Sequence, residues 1–434
     1  MKTKLLATAL VLGLGLASTA ATAANNLAAG GGVADWQIYS WQNWTYEFSE
    51  VDDSTAITGS DRDQQRIRND AAHIGFKSSI DTGLSAGGER VKANFQCEQF
   101  MNFGSGAGGN WCNRNSKISV SGAYGEVMWG NWLTPYNEMV AGWIDPYWDA
   151  DFTSHTALMG TINSGDYSGP GTNPSAGSAS IADNGFNKRQ SGLVQYWSPN
   201  FNGLAFRLAT TSGDQGDTEV ASATGPEKLD PRLFEAGVTF NKPLASGDNV
   251  WLAVTYSQHS EWAAVDFNCS DSDDTGIRGA VQYIHQWGGG GSTAIAGMYE
   301  QLEYDWDDCL AGGVATFVST GSAAATGLDL EKDTWMVSIN HAFGNGWGIR
   351  GTYLDADEYD CDVGDGCLTD NDTDATSFSM GVDYTTPMGT MFSLKYAEVD
   401  NSSNSRYDTG FYPAGVNANG QDSQVIGLGI TQGF

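Results

Sequence analysis

The residues of this chain whose types and spacing could do chemistry fall into four groups. Glu138, Asp145, Asp149 and Asp151 crowd into one short segment, Asn137 to Phe152, among aromatic side chains, and together make a concentrated negative charge. Asp370, Asp372 and Asp374 alternate as at the start of a calcium loop, but the glycine and distal glutamate of an EF-hand are missing, so both a divalent ion and plain solvation stay open. Six cysteines, Cys97, Cys112, Cys269, Cys309, Cys361 and Cys367, lack a close Cys-x-x-Cys spacing, which argues for disulfides over a thiolate metal site. The histidines, His73, His155, His259, His285 and His341, are scattered, and neither a Gly-x-Ser-x-Gly elbow nor a His-Glu-x-x-His pair occurs. No catalytic set and no organic cofactor follow, and the chain is not expected to be an enzyme.

The elements that must position these groups are strands. The chain ends on Ile426, Leu428, Ile430 and Phe434, interleaved with Gly427, Gly429 and Gly433. At the other end Lys2 and Lys4 precede an apolar run from Leu5 to Ala17 and a small-residue site, Ala21-Thr22-Ala23, the pattern of a secretory signal over residues 1–23. That run is too short for a spanning helix, and no other stretch is long and apolar enough. Membrane insertion would then have to use strands, and only a closed barrel satisfies every backbone group in hydrocarbon.

Period-2 segments recur through residues 24–434. They fall near 35–49, 70–80, 87–98, 114–121, 125–132, 190–199, 203–211, 232–242, 249–260, 275–287, 291–304, 333–343, 347–358, 374–386, 389–400 and 422–434. Tight junctions, such as Asp81 to Ser85 and Gly344 to Gly346, alternate strictly with long ones. That rhythm predicts an all-β, 16-stranded antiparallel transmembrane barrel with short periplasmic turns and long outer loops. Val91, Ala93 and Phe95 would face lipid and Arg90, Lys92 and Asn94 the lumen; Leu204, Phe206 and Leu208 alternate likewise with Ala205, Arg207 and Ala209. Trp129, Trp132, Tyr196, Trp251, Tyr283, Trp287, Trp335, Phe343, Trp347 and Phe434 lie near strand ends, where interfacial girdles belong. Every cysteine falls in or beside an outer loop, predicting the pairs Cys97–Cys112, Cys361–Cys367 and Cys269–Cys309.

Several stretches resemble the general Gram-negative porins. They are NRNSKISVSGAYGEVMWGNWLTPY from Asn113, SGLVQYWSPNFNGLAFRLATT from Ser191, HIGFKSSIDTGLSAGGERVKANFQCE from His73, MGVDYTTPMGTMFSLKYAEVDN from Met380 and the closing GLGITQGF. They stand in family order across the chain. Asn131, Ile80, Gln432 and Gly433 depart from the family pattern and bear on wall charge, not on fold. The resemblance implies a water-filled homotrimeric diffusion pore in the outer membrane of a Gram-negative bacterium. Its third outer loop, about 133–189 here, would fold into the lumen to make a constriction. Glu138, Asp145, Asp149 and Asp151 are then the acidic side of that constriction, and Lys77, Arg90, Lys92, Lys117 and Arg207 the candidates for a basic wall opposite.

Formal charge is −31, and −33 once Lys2 and Lys4 are removed. Such a balance argues against nucleic acid as a partner and against an anion trap. The expected partners are outer-membrane lipid and lipopolysaccharide, small hydrophilic solutes and cations. Acidic outer loops could also hold Ca²⁺ or Mg²⁺ against lipopolysaccharide phosphates. Trp143, Tyr147 and Trp148 leave open a sugar-selective pore; a non-conducting adhesin or receptor barrel and an embedded lipase are the other classes.

Overall fold

The computed structural model describes residues 27–29, 32–52, 62–69, 71–101, 111–147, 155–161, 185–211, 218–222, 225–262, 269–309, 327–361, 372–407, 409 and 419–434. The leader expected over residues 1–23 lies outside them. Among the described residues the wall begins with β1 (Gly32–Val51), β2 (in two segments, Arg62–Asn69 and His73–Ala86), β3 (Glu89–Phe100), β4 (Ser116–Gly122) and β5 (Gly125–Leu133). It continues through β6 (Arg189–Trp197), β7 (Leu204–Thr211), β8 (Arg232–Pro243), β9 (Asn249–Ser260), β10 (Asp271–Gln286) and β11 (Ser292–Asp307). It ends with β12 (Leu328–Ala342), β13 (Trp347–Ala356), β14 (Ala375–Thr385), β15 (Met391–Asn401) and β16 (Ser423–Gly433). Each strand pairs antiparallel with the next, and β16 returns to β1, so the sheet closes. A small hairpin, Thr218–Ser222 with Gly225–Leu229, decorates the fourth outer loop.

Alternation decides which face is which. On β14 Phe378, Met380 and Val382 stand exposed on the outside, while Ser377, Ser379 and Asp383 are buried within. Ile277, Ile295, Val337, Leu394 and Leu428 continue the exposed apolar band around the barrel. A soluble protein does not tolerate so large an apolar surface, whereas hydrocarbon requires one. Tyr124, Phe201, Trp287, Phe343, Trp347 and Phe434 are exposed beside the short turns and form one aromatic girdle. Trp132 and Trp251, expected in the girdle, instead point inward at 7% and 1% exposure, against Trp197 and Trp143 respectively.

β2 departs from the sequence reading. Its upper half, Arg62–Asn69, pairs with β1 and then breaks at Ala71, whose φ is 74°. Asn69 bridges the break, donating to the Met101 carbonyl at 2.6 Å and accepting the Ala72 N–H. The first periplasmic turn is also displaced. Asp81 to Ser85 is an irregularity within paired strand, and the reversal occurs at Gly87-Gly88, both with positive φ, as a two-residue hairpin turn demands.

The inner wall is not uniformly polar. From β8 to β15 it carries buried Trp251, Met298, Leu302, Tyr304, Trp306, Leu330, Met336 and Leu354. These pack against Tyr136, Val140, Ile144, Leu158, Met159 and Phe186, all from the third outer loop. Among its described residues that loop carries helix α1 (Pro135–Ile144) and a 3-10 turn at His155–Ala157, and these lie inside the barrel against this wall.

Candidate pore constriction

Charged wall residues hold the loop by its backbone. Pro135 starts α1 and has no N–H to satisfy, and Thr134 before it makes no side-chain cap. The N–H of Tyr136 is instead taken by Glu235 of β8 at 2.7 Å. Gly237, one inward position along, leaves room for Met139: a Cβ there would lie 2.5 Å from its sulfur. On β11 Glu300 accepts the Gly160 N–H at 2.6 Å, the Tyr136 hydroxyl at 2.8 Å and Arg278 Nε at 2.8 Å, with both members of the Arg278–Glu300 pair fully buried. Burial first, and then Glu300, pushes the Tyr136 phenol well above its ordinary value, so it stays a donor. Wall cations take carbonyls: Lys332 bonds those of Leu158 and Thr161, and Arg350 bonds that of Pro146 at 2.6 Å while forking onto Asp383. Gln282 and Ser338 donate to the carbonyls of Trp143 and Ile144 at 2.9 and 2.8 Å.

The expected acids are placed differently from one another. Glu138 faces β7, the strand next to β8, pairing with Arg207 and accepting the Trp132 indole N–H at 3.3 Å. Asp145 is turned into the loop, with no exposed side-chain surface. Its carboxylate accepts the N–H groups of Tyr147 and His155, each at 2.8 Å, and lies 2.7 Å from His155 Nδ1. It shapes the turn after α1 and presents no charge to a passage. Asp149 and Asp151 lie outside the described residues. Trp143 stacks on Trp251 at 5.7 Å, and the Tyr147 hydroxyl bonds the Arg350 carbonyl at 2.9 Å, so both anchor the loop; Trp148 lies outside the described residues.

The expected bases line the side that the described part of the loop leaves open. An open cavity of about 500 Å³ lies along β1 to β5, with Asp35, Lys77, Lys92, Asn94, Lys117 and Glu126 on its walls. Lys117 pairs with Glu126 and sits 3.9 Å above the Trp197 ring, and Arg207 lies 4.5 Å from the same ring. Lys77 lies 5.1 Å from the Tyr39 ring centre, and Lys92 has no ion-pair partner among the described residues. Arg90 stands apart, bonded to Asp81 at 2.9 Å near the first periplasmic turn. Among the described residues the lumen thus has a polar, cation-bearing side and a side packed by the loop.

The sequence profile of the Gram-negative porins matches residues 7–404. The chain belongs to that family. Solved structures agree on the fold. An anion-selective porin from Comamonas acidovorans is 18% identical, with a TM-score of 0.62 over 92% of this chain and 100% of its own. The outer membrane channel DcaP of Acinetobacter baumannii gives 13% identity and 0.53 over 94% and 99%. OmpT of Vibrio cholerae gives 13% and 0.52 over 94% and 100%. No curated protein sequence matches.

The outer end of the porin is tied and charged. Cys97–Cys112 closes the second loop, and Cys269–Cys309 joins the fifth loop to the sixth. Cys361 is also disulfide-bonded, and Cys367 lies outside the described residues. At the upper ends of β10, β11 and β12, carboxylates stand directly across from carboxylates: Asp271 from Asp307, Asp273 from Asp305, Glu303 from Glu331 and Asp305 from Asp329. Burial, and then the charges of Asp355, Asp333 and Asp374, raise the carboxyl of Asp357 just above β13. Of the suspected calcium residues, Asp372 accepts the Ser403 hydroxyl at 3.1 Å, the Asp374 carbonyl accepts that of Ser405, and Asp370 lies outside the described residues. Among the described residues no group of three carboxylate, His or Cys side chains is arranged to hold a metal.

The sequence reading missed Glu235, Arg278, Glu300, Lys332, Arg350 and Asp383. The one signal for them is a charge at an inward-facing position whose inward neighbours are apolar or small, as with Glu300 between Met298 and Leu302.

Proposed function

We propose that this outer-membrane channel passes small hydrophilic solutes and ions by passive diffusion, prefers cations moderately, and works as a homotrimer. What supports diffusion is the third loop, folded onto the β8 to β15 wall while a polar passage remains along β1 to β5. Cation preference rests on Glu138, with Asp149 and Asp151 as proposed constriction acids, and on the negative field of the outer rim, whose facing carboxylates stand on the outward side of β10 to β12 above the apolar band. Lys77 and Lys92 oppose them, so the preference is moderate, and it weakens as salt shortens the Debye length below ~8 Å. Oligomerisation has a parallel in a trimer form of Vibrio cholerae OmpT, which is 13% identical. Lipopolysaccharide phosphates, bridged by Ca²⁺ or Mg²⁺ to the outer carboxylates, are the partner this reading gives the acidic rim.

Reversal potentials of the reconstituted protein in a potassium chloride gradient test it. Wild type should favour potassium, and Asp149→Asn with Asp151→Asn should reduce that preference. An anion-selective wild type overturns the selectivity, and a protein without conductance overturns the channel. Unboiled protein should run as an oligomer on a detergent gel.

A further inference from the structure

α1 begins without a cap of its own. Thr134 occupies the position that ordinarily supplies one, in extended conformation, yet makes no side-chain bond to the helix. The acceptor comes from the wall on which α1 lies: Glu235 is wholly buried on β8, and its Oε2 takes the Tyr136 N–H at 2.7 Å. Its Oε1 accepts the Ser257 hydroxyl of β9 at 3.1 Å, and that hydroxyl lies 3.2 Å from His259 Nε2, so the carboxylate is itself held in place by the wall. A carboxylate at this end of a helix also meets the positive end of its dipole. Where α1 starts sets the place of its first turns. Glu138 reaches Arg207, and Met139 packs into the space over Gly237, only while the first turn stays on the β8 wall.

We propose that Glu235 is the positioning residue of the constriction, capping α1 from the barrel wall and thereby fixing the open cross-section of the pore. It touches no solute. It acts through α1, and the inference rests on reading the barrel as a conducting channel. With the acceptor gone, the start of α1 loses its hydrogen bond to β8, keeps the Tyr136 contacts with β10 and β11 and the Met139 packing, and shifts toward the axis. The passage along β1 to β5 then narrows intermittently.

Single-channel recording of the full-length porin in planar bilayers tests this, with the migration of unboiled protein as a control on assembly. Glu235→Ala should cut the mean open conductance to about half or less and add brief closures. Glu235→Gln keeps an acceptor oxygen for the Tyr136 N–H and should restore at least four-fifths of the wild-type conductance. Ser257→Ala removes one donor that orients the carboxylate and should produce the same closures at lower frequency; it remains informative if Glu235→Ala fails to assemble. Wild-type conductance and closure frequency in both Glu235→Ala and Ser257→Ala overturn the proposal. So does equal impairment of the Ala and Gln variants, since packing volume and not hydrogen bonding would then be at stake. A wild type that assembles but does not conduct overturns the channel reading instead.

Discussion

Removing the Glu300 carboxylate should detach the third loop without opening the barrel. Arg278 and Glu300 are both fully buried, and Glu300 accepts from Arg278 Nε and Nη2, the Tyr136 hydroxyl and the Gly160 N–H. In Glu300→Ala the guanidinium stays buried without an ion-pair partner in contact, left with the Asn187 side chain at 2.9 Å, the Tyr136 carbonyl at 3.4 Å and the Tyr136 ring at 4.4 Å. Breaking a buried pair in this way costs about 3 to 5 kcal/mol. The loss falls on the packing of the loop, because the strand ladders on either side of β11 do not depend on this side chain. Hydrogen exchange of the α1 amides in bicelles reads it: their opening should become about a hundredfold to a few thousandfold easier, with strand amides unchanged. Arg278→Met combined with Glu300→Leu removes both charges and should recover the part of that protection lost to the orphaned guanidinium, while the Gly160 N–H and the Tyr136 hydroxyl stay unsatisfied at about 1 kcal/mol or more each. Exchange within tenfold of wild type in Glu300→Ala, or a double variant as exposed as the single one, would refute the reasoning.

Val254, half exposed at the centre of β9, faces lipid, and Val254→Arg should cost about 2 to 4 kcal/mol in a bilayer folding titration. Ala205→Arg on the lumen face of β7 should fold like wild type in the same assay. Replacing Cys97 and Cys112 by Ser opens a loop with a sequence separation of 15 and removes about 3 kcal/mol in the chain-entropy model; the second loop should become protease-sensitive while the barrel still migrates folded. Hydrogen bonds from the Gln286 N–H, the Tyr283 hydroxyl and the Ser246 hydroxyl hold the Asp248 carboxyl down at about 2, below its unfolded value of about 4. Its contribution to the fourth periplasmic turn is therefore fully present above pH 4 and lost between pH 4 and pH 2. Exchange rates of the Leu244 to Asp248 amides, corrected for intrinsic pH dependence, should show that loss, and Asp248→Asn should abolish the pH dependence.

Most of the wall was legible because lipid and water impose opposite demands on successive residues. Strands such as Asn249–Ser260 and Trp347–Ala356 begin where their alternation and turn residues say they should. The upper half of β2 escaped notice because Arg62–Asn69 has Ile67 as its one apolar residue, too little to show the alternation of a membrane strand. The constriction was less legible, for a different reason. A loop that folds inward gives its wall a second apolar face, so Trp251 read as an interfacial girdle residue when it is a floor for Trp143. Likewise nothing in the spacing of Glu138 and Asp145 says that one faces the passage and the other its own backbone; that depends on the turn made after Ile144.

The seam between β1 and β16 governs the order of assembly. Every other pairing in the sheet joins neighbours in sequence and can form as the chain becomes available. The pairing of Trp41 with Gly433 through Val51 with Ser423, completed by bonds between Ser40 and Phe434 at 2.8 and 3.0 Å, needs both ends of the chain at once. Until it forms, two bare strand edges would meet hydrocarbon, at several kcal/mol for each unsatisfied group. Insertion and closure therefore have to occur as one event, late and slow compared with hairpin formation. A chain trimmed within Ser423–Phe434 should accumulate as an open, protease-sensitive sheet at the membrane surface and not as a narrower pore.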